Sequence, residues 1–355
     1  MLASSLVLFA LLCAGVFLRV PYSEMSPGPT VNTLGESHGE PVLNISGHKT
    51  YPTTGHLNMT TVRVTGADYD MNLLEAVYGW LAGDNIVVPH ENLYPDGKTD
   101  KESTQENAEE FSQSQESAKV AALKQLGIPV SARVVVSTVV KGSPAEGTLH
   151  AGDVIKEVDG SAVTQPGDVA KLVTRHKPGE PVEFTLVPAA AAAEAEKAGR
   201  EATATTKVTI TAGKAPDDGH AVVGIRAGTD HTFPFPIDIK LADVGGPSAG
   251  LMFALGIVDK LTPEDLTGGK FVAGTGTIDD TGKVGPIGGI QMKTIGARQA
   301  GAEYFLTPAE NCAAAAAQVP DGLTLVKVST IDDATKALQK ISKGDAAGLP
   351  RCTTS

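Results

Sequence analysis

Apolar residues recur along this chain with several periods, and each period predicts a different element. From 2 to 18 they are nearly continuous, and Arg19 and Pro21 end the run. Its length sits at the lower edge of the roughly 17–25 residues that a membrane-spanning helix needs. Further on, short apolar runs at 42–45, 57–64 and 85–88 are separated by turn residues, which predicts strands and hairpins. Between them, 70–81 reads as a helix with Leu73, Leu74, Val77 and Trp80 on one side. Residues 96–113 are polar and read as a turn at Pro95-Asp96-Gly97-Lys98 and a solvated approach to a helix over 105–126. That helix has Phe111, Ala118, Ala121, Ala122 and Leu123 as its less polar positions, and Gly127 and Pro129 end it.

The middle of the chain repeats a short alternation. Strands are predicted at 134–140, 151–158 and 182–187, with a short helix over 166–176. An Ala/Glu-rich stretch at 188–206 then reads as a short exposed helix or a loop, and 207–212 as another strand. Runs at 221–226 and 237–241 lead into a glycine-rich turn, followed by an apolar helix over 251–258.

The order Gly142-Ser143-Pro144-Ala145, Ala151-Gly152-Asp153-Val154-Ile155 and Val158-Asp159-Gly160 resembles a PDZ domain of the bacterial type over about 120–213. The resemblance implies capture of an extended peptide or C-terminus by strand addition, against a spacer domain with no ligand.

Composition narrows the classes. With 355 residues and 41% hydrophobic content, the chain suits two or three soluble domains and not a multi-span membrane protein. A net charge of -12 argues against a nucleic-acid partner. No Lys or Arg precedes the first apolar run, so the usual start of a secretory signal is missing. Two readings stand, a cleaved signal or a retained anchor; the anchor is preferred, with the rest of the chain outside the cytoplasm. Cys13 lies in the run, with Leu12 where a lipoprotein signal wants a small residue. Cys312 and Cys352 are the other two cysteines. In an oxidising compartment they predict a disulfide tying the tail to the last domain, against two unrelated thiols.

Candidate chemistry gathers near the C-terminus. Gly246-x-Ser248-x-Gly250 fits a nucleophile elbow, but no histidine follows Ser248, so the Ser-Asp-His order of an α/β-hydrolase cannot be built. A serine nucleophile here needs another base, and lysine is the known variant. Gly246, Pro247, Ser248 and Ala249 form the turn expected to hold an oxyanion at helix N-terminal donors. The plainer alternative is a capping or packing serine. Lys293 follows 45 positions later, on a helix predicted over 290–300. Its neighbours one turn away, Gly289, Ile290, Gly296 and Ala297, are small or apolar. Burial there would lower its pKa and make it a base, against a lysine that merely snorkels to solvent. Residues 276–283 imitate a phosphate loop, but the spacing is wrong by one and Val284 follows the lysine. With no Cys/His cluster and no H-E-x-x-H, neither metal nor cofactor is expected.

These residues resemble the proteolytic domain of the Lon family, serine peptidases with a Ser-Lys dyad. The matching stretches are Gly246-Pro247-Ser248-Ala249-Gly250, Gly274-Thr275-Gly276, the run from Gly282 to Lys293, Ala300-Gly301-Ala302 and Pro308-Ala309-Glu310-Asn311. The resemblance implies Ser248 as nucleophile, Lys293 as base and Thr275 as the residue orienting the lysine. Val244-Gly245 replaces the more usual charged residues before the serine. No ATPase module is evident, and the order of parts resembles the membrane-bound, ATP-independent Lon-like proteins of Gram-positive bacteria.

The expected fold is multidomain α+β. It comprises an N-terminal apolar helix (1–21), a β-rich segment with helices (22–119), a PDZ-like β-sandwich (120–213), a Lon-type α/β proteolytic domain (214–342) and a tail (343–355). The expected function is a single-pass, extracytoplasmic serine endopeptidase acting on unfolded or exposed polypeptide. Ring assembly in the family makes a homo-oligomer an expectation too. The alternatives are a non-enzymatic envelope adaptor that binds partner tails through its PDZ unit, and an esterase or amidase using the same dyad.

Overall fold

Six strands drawn from both ends of the chain form the sheet that carries the candidate chemistry. In a computed structural model, which describes residues 9, 15–197, 202–242 and 244–354, their order is Thr324–Val328, Tyr304–Pro308, Phe271–Gly274, His56–Val64, Tyr22–Asn32, Ile86–Pro89. The first four are mutually parallel; Tyr22–Asn32 runs antiparallel to them, and Ile86–Pro89 runs antiparallel to Tyr22–Asn32. The β-rich N-terminal segment therefore shares one sheet with the C-terminal part. Residues up to Ile128 and from Phe235 onward form one compact unit, and Pro129–Pro234 forms another.

Alternation along the strands sorts the helices onto two faces. Ala273, Phe305 and Leu325 cluster with Ile290 and Ala297 of the helix Ile290–Gln299, which also carries Lys293. Gly274, one residue on, faces the other way, where a β-carbon would meet Met252 Sδ at 2.7 Å. Met252 belongs to the helix Gly250–Leu261, which is apolar nearly all round and buried except at Lys260, as such a pattern requires. The long helix Asp100–Gln125 packs on it, with Phe111 set edge-on to Phe253, ring centroids 5.8 Å apart.

Two helices depart from expectation. The long helix starts at Asp100, five residues earlier than the apolar pattern indicated. Thr99 and Glu102 form a reciprocal capping box there and satisfy the first free N–H groups of a polar, solvated turn. The helix Leu73–Leu81 buries Ala76 and Gly79, whereas Leu73, Val77 and Trp80 of the expected apolar stripe are exposed.

The tail covers a sheet edge. Lys327 N–H donates to the Pro350 carbonyl, Cys352 N–H donates to the Leu325 carbonyl, and Cys352 is disulfide-bonded to Cys312.

In the second unit, Gly213–Lys214 pairs with Ala221–Val222 on its own, and the other strands are joined by hydrogen bonds into one antiparallel sheet. Its order is Thr206–Thr211, Pro181–Val187, Val154–Val158, Ser131–Val139, Ile225–Thr232, with Ser161–Ala162 added to the third. The helix Pro166–Val173 closes a core centred on Phe184 and Val136. The Ala/Glu-rich stretch forms the helix Ala189–Lys197, which buries Ala192 against Val135, Val154 and Val187 instead of standing free.

Of the apolar run at 2–18, only Phe9 and residues 15–18 are described; Cys13 lies outside the described residues. Among the described residues, no helix is long and apolar enough to cross a membrane, so the expected N-terminal spanning helix is not found among them.

Candidate active site

The serine turn is held from two directions. Gly246 takes a φ of +81°, a value that favours glycine, and its N–H donates to the Asn107 carbonyl of the long helix at 2.8 Å. Ser114, two turns further along that helix and buried, donates its hydroxyl to the Pro247 carbonyl at 2.9 Å. On the other side, the Ser248 carbonyl accepts the Gly276 N–H at 2.9 Å and the Thr275 hydroxyl at 3.0 Å. That carbonyl is thereby drawn out of the helical ladder. The helix begins at Gly250, so Ser248 stands in the turn just before it and not within its first turn.

Lys293 arrives from the opposite face of the sheet. Its helix starts after Gly289, which adopts a left-handed conformation. It then lies close against the strand Tyr22–Asn32, where a β-carbon on Gly296 would come within 3.2 Å of the Gly28 carbonyl oxygen. This close approach leaves Lys293 only 3% exposed. Its Nζ lies 2.6 Å from Ser248 Oγ and 3.0 Å from Thr275 Oγ1. Thr275 is fully buried; its own proton goes to the Ser248 carbonyl, so its oxygen accepts from the lysine. Burial pushes the Lys293 amine down from 10.5 to about 7, because an ammonium loses its hydration there.

Ser248, Thr275 and Lys293 are thus brought together at the end of the strand Phe271–Gly274. Of the four turn residues read as oxyanion donors, Gly246 has its N–H committed to Asn107 and Pro247 has none. Ser248 and Ala249 carry the remaining N–H groups. Asn107 and Ser114 were not recognised in the sequence. The available signal was weak: Ser114 interrupts the apolar stripe Phe111, Ala118, Ala121 with a single hydroxyl.

Ser248 and Lys293 open into a cleft of about 660 Å³. Met25, Pro29 and Val62 supply apolar wall, and Arg63, Asp100 and Asn107 supply polar wall. The loop entering the lysine helix is pinned by Asn311, which accepts the Ile287 N–H at 2.9 Å and donates to the Ile287 carbonyl at 3.0 Å. Asn311 directly precedes the disulfide-bonded Cys312. The second unit has its own groove of about 500 Å³, between the helix Pro166–Val173 and the edge strand Ile225–Thr232. Among the described residues, no cluster of His, Cys, Asp and Glu could hold a metal ion.

Comparison with known proteins matches two stretches of the chain to families. Residues 242–340 match the Lon protease (S16) C-terminal proteolytic domain. Residues 107–196 match the PDZ domain family; that match begins inside the long helix of the first unit and stops before the last four strands of the second. Lon protease from Azospirillum brasilense is 40% identical over 95 residues, covering 26% of this chain and 11% of its own length. Lon protease 2 from Bacillus subtilis is 39% identical over 92 residues, covering 25% and 16%. The chain thus spans only 11–16% of the length of these relatives. The solved PDZ domain of an SdrC-like protein from Listeria innocua aligns with 25% identity over 28% of this chain and 98% of its own, with a TM-score of 0.22.

Proposed function

We propose that the chain is a serine endopeptidase that cleaves unfolded or locally exposed polypeptide without ATP. The observation that carries this reading is the Lys293 amine, buried and 2.6 Å from Ser248 Oγ. A lysine with its pKa near neutrality holds a lone pair at working pH and can take the serine proton. Ser248 Oγ then bonds to the peptide carbonyl carbon. The resulting oxyanion rests on the N–H groups of Ser248 and Ala249, whose peptide planes are held by Ser114 and the 274–276 strand end. The Lys293 ammonium returns its proton to the departing amine. Thr275 keeps the amine aimed at Ser248 through this cycle. Water, deprotonated by the same lysine, releases the acyl group.

In this reading, the groove of the second unit receives an extended peptide, which adds to the edge strand Ile225–Thr232. The chain is anchored by the apolar run at 2–18 and works outside the cytoplasm. The Cys312–Cys352 disulfide favours that placement, because such bonds persist in oxidising compartments.

The test is incubation of the chain with unfolded casein at neutral to alkaline pH without ATP, beside Ser248→Ala and Lys293→Ala. Cleavage by the parent and by neither variant is expected. A parent that binds peptide tails but cleaves nothing supports a non-enzymatic adaptor instead.

A further inference from the structure

The helix Leu73–Leu81 is built inside out. Its buried positions are the small ones, Ala76 and Gly79. A β-carbon on Gly79 would meet Glu24 Oε2 at 2.8 Å and Val87 Cγ2 at 3.0 Å, so the helix backbone lies directly on the sheet edge. The large apolar side chains point away from the protein: Trp80 is 78% exposed and Leu81 74%, with Val77 and Tyr78 exposed beside them. No charged residue occurs from Ala76 to Ala82.

This helix is laced to the foot of the N-terminal apolar run. Leu73 N–H donates to the Leu18 carbonyl at 2.9 Å, and Val20 N–H donates to the Met71 carbonyl at 2.9 Å. Val16, Phe17, Leu18 and Tyr22 are exposed in the same stretch. Tyr22 and Trp80 share a shallow apolar cleft of about 300 Å³ with Val77 and Val87. The apolar surface therefore continues from the end of a run long enough to enter a bilayer.

We propose that this helix lies in the lipid–water interface and seats the proteolytic unit on the membrane. Tyr and Trp suit that depth, with an apolar ring body and a polar edge. Continuity with the N-terminal run selects lipid as the occupant over a second copy of the chain. The consequence is for substrate choice. Tyr22 belongs to the lipid-facing patch and Met25 lines the catalytic cleft; they lie about 10 Å apart along one strand, with their side chains on opposite faces of it. The cleft then opens beside the membrane surface and selects segments of polypeptide close to the bilayer. This rests on the anchored-protease reading and adds a second, independent point of lipid contact.

Trp80 is the only tryptophan in the chain and reports on the patch directly. The full chain is mixed with phosphatidylcholine vesicles, with and without bromine on the acyl chains, and is also floated on a density gradient. Expected is flotation together with a blue-shifted Trp80 emission, loss of most of that emission to the brominated lipid and protection from iodide. Val77→Asp with Leu81→Asp, at exposed positions, should still float and keep an unchanged thermal midpoint while losing the bromine quenching. Flotation with Trp80 open to iodide and untouched by bromine overturns the docking surface and leaves the anchor standing. Shielding of Trp80 that depends on protein concentration and not on lipid assigns the patch to a second copy. Absence of flotation overturns both the anchor and the docking surface.

Discussion

Two apolar helices of the same unit behave in opposite ways. Gly250–Leu261 buries its side chains on every side save Lys260, between the sheet and the long helix. Leu73–Leu81 buries two small residues and turns its large ones outward. Hydrophobic content does not separate them. What separates them is the company each finds: the first is flanked by protein on all faces, and the second lies on a sheet edge with its outer face uncovered among the described residues. The buried helix makes a rigid mount for Ser248, whereas the exposed one offers a surface for something other than its own fold.

Truncations break this comparison most directly. Met252→Ala, fully buried on the first helix, should cost about 2–5 kcal/mol of stability. Leu81→Ala on the second should stay within about 0.5 kcal/mol. Equal losses in a denaturant titration would mean that the two helices are not different in kind.

The buried helix also carries an ionisable group that the chemistry does not use. Asp259 is 1% exposed; its Oδ1 accepts the Leu266 N–H at 2.8 Å, and among the described residues its Oδ2 has no hydrogen-bond partner. Burial pushes its pKa up from 3.8 to about 6. The folded state therefore binds more protons than the unfolded one between those values, and stability falls as pH rises through that window. The loss is on the order of 2–3 kcal/mol. Asp259→Asn should flatten that part of the stability curve, as thermal midpoints measured from pH 4 to pH 7 would reveal.

A smaller effect sharpens the role of the mount. Ser114→Ala leaves the Pro247 carbonyl without its donor. It should lower kcat by about tenfold, with KM little changed, since a lost hydrogen bond of this kind is worth about 1–2 kcal/mol. Ser114→Thr, which keeps the hydroxyl, should recover most of the rate. An equal fall in both variants would point to packing and not to the hydrogen bond.

The pairing of Ser248 with Lys293 was legible in the sequence because both sit beside short, glycine-marked turns. Gly246 and Gly250 bracket Ser248, and the small residues around Lys293 foretold the burial that lowers its pKa. The supports were not legible. Ser114 lies 133 positions before the carbonyl it holds, and only tertiary packing joins them. The long helix shows its start in Thr99 and Glu102, yet the polar content between them reads equally well as a loop until the capping box is seen. Leu73, Val77 and Trp80 keep a helical spacing that normally marks a core face. Periodicity reports which residues share a side, and it does not report what stands on that side.

The central claim is that Lys293 activates Ser248 as a neutral amine. The most direct measurement is the rate at which a fluorophosphonate labels Ser248 from pH 5 to pH 10, in the parent and in Lys293→Ala. The amine is half deprotonated near pH 7, so labelling should rise with pH, level off above about 7, and nearly vanish in the variant. A rate that climbs only toward the ordinary lysine range, or the same profile without Lys293, would contradict it.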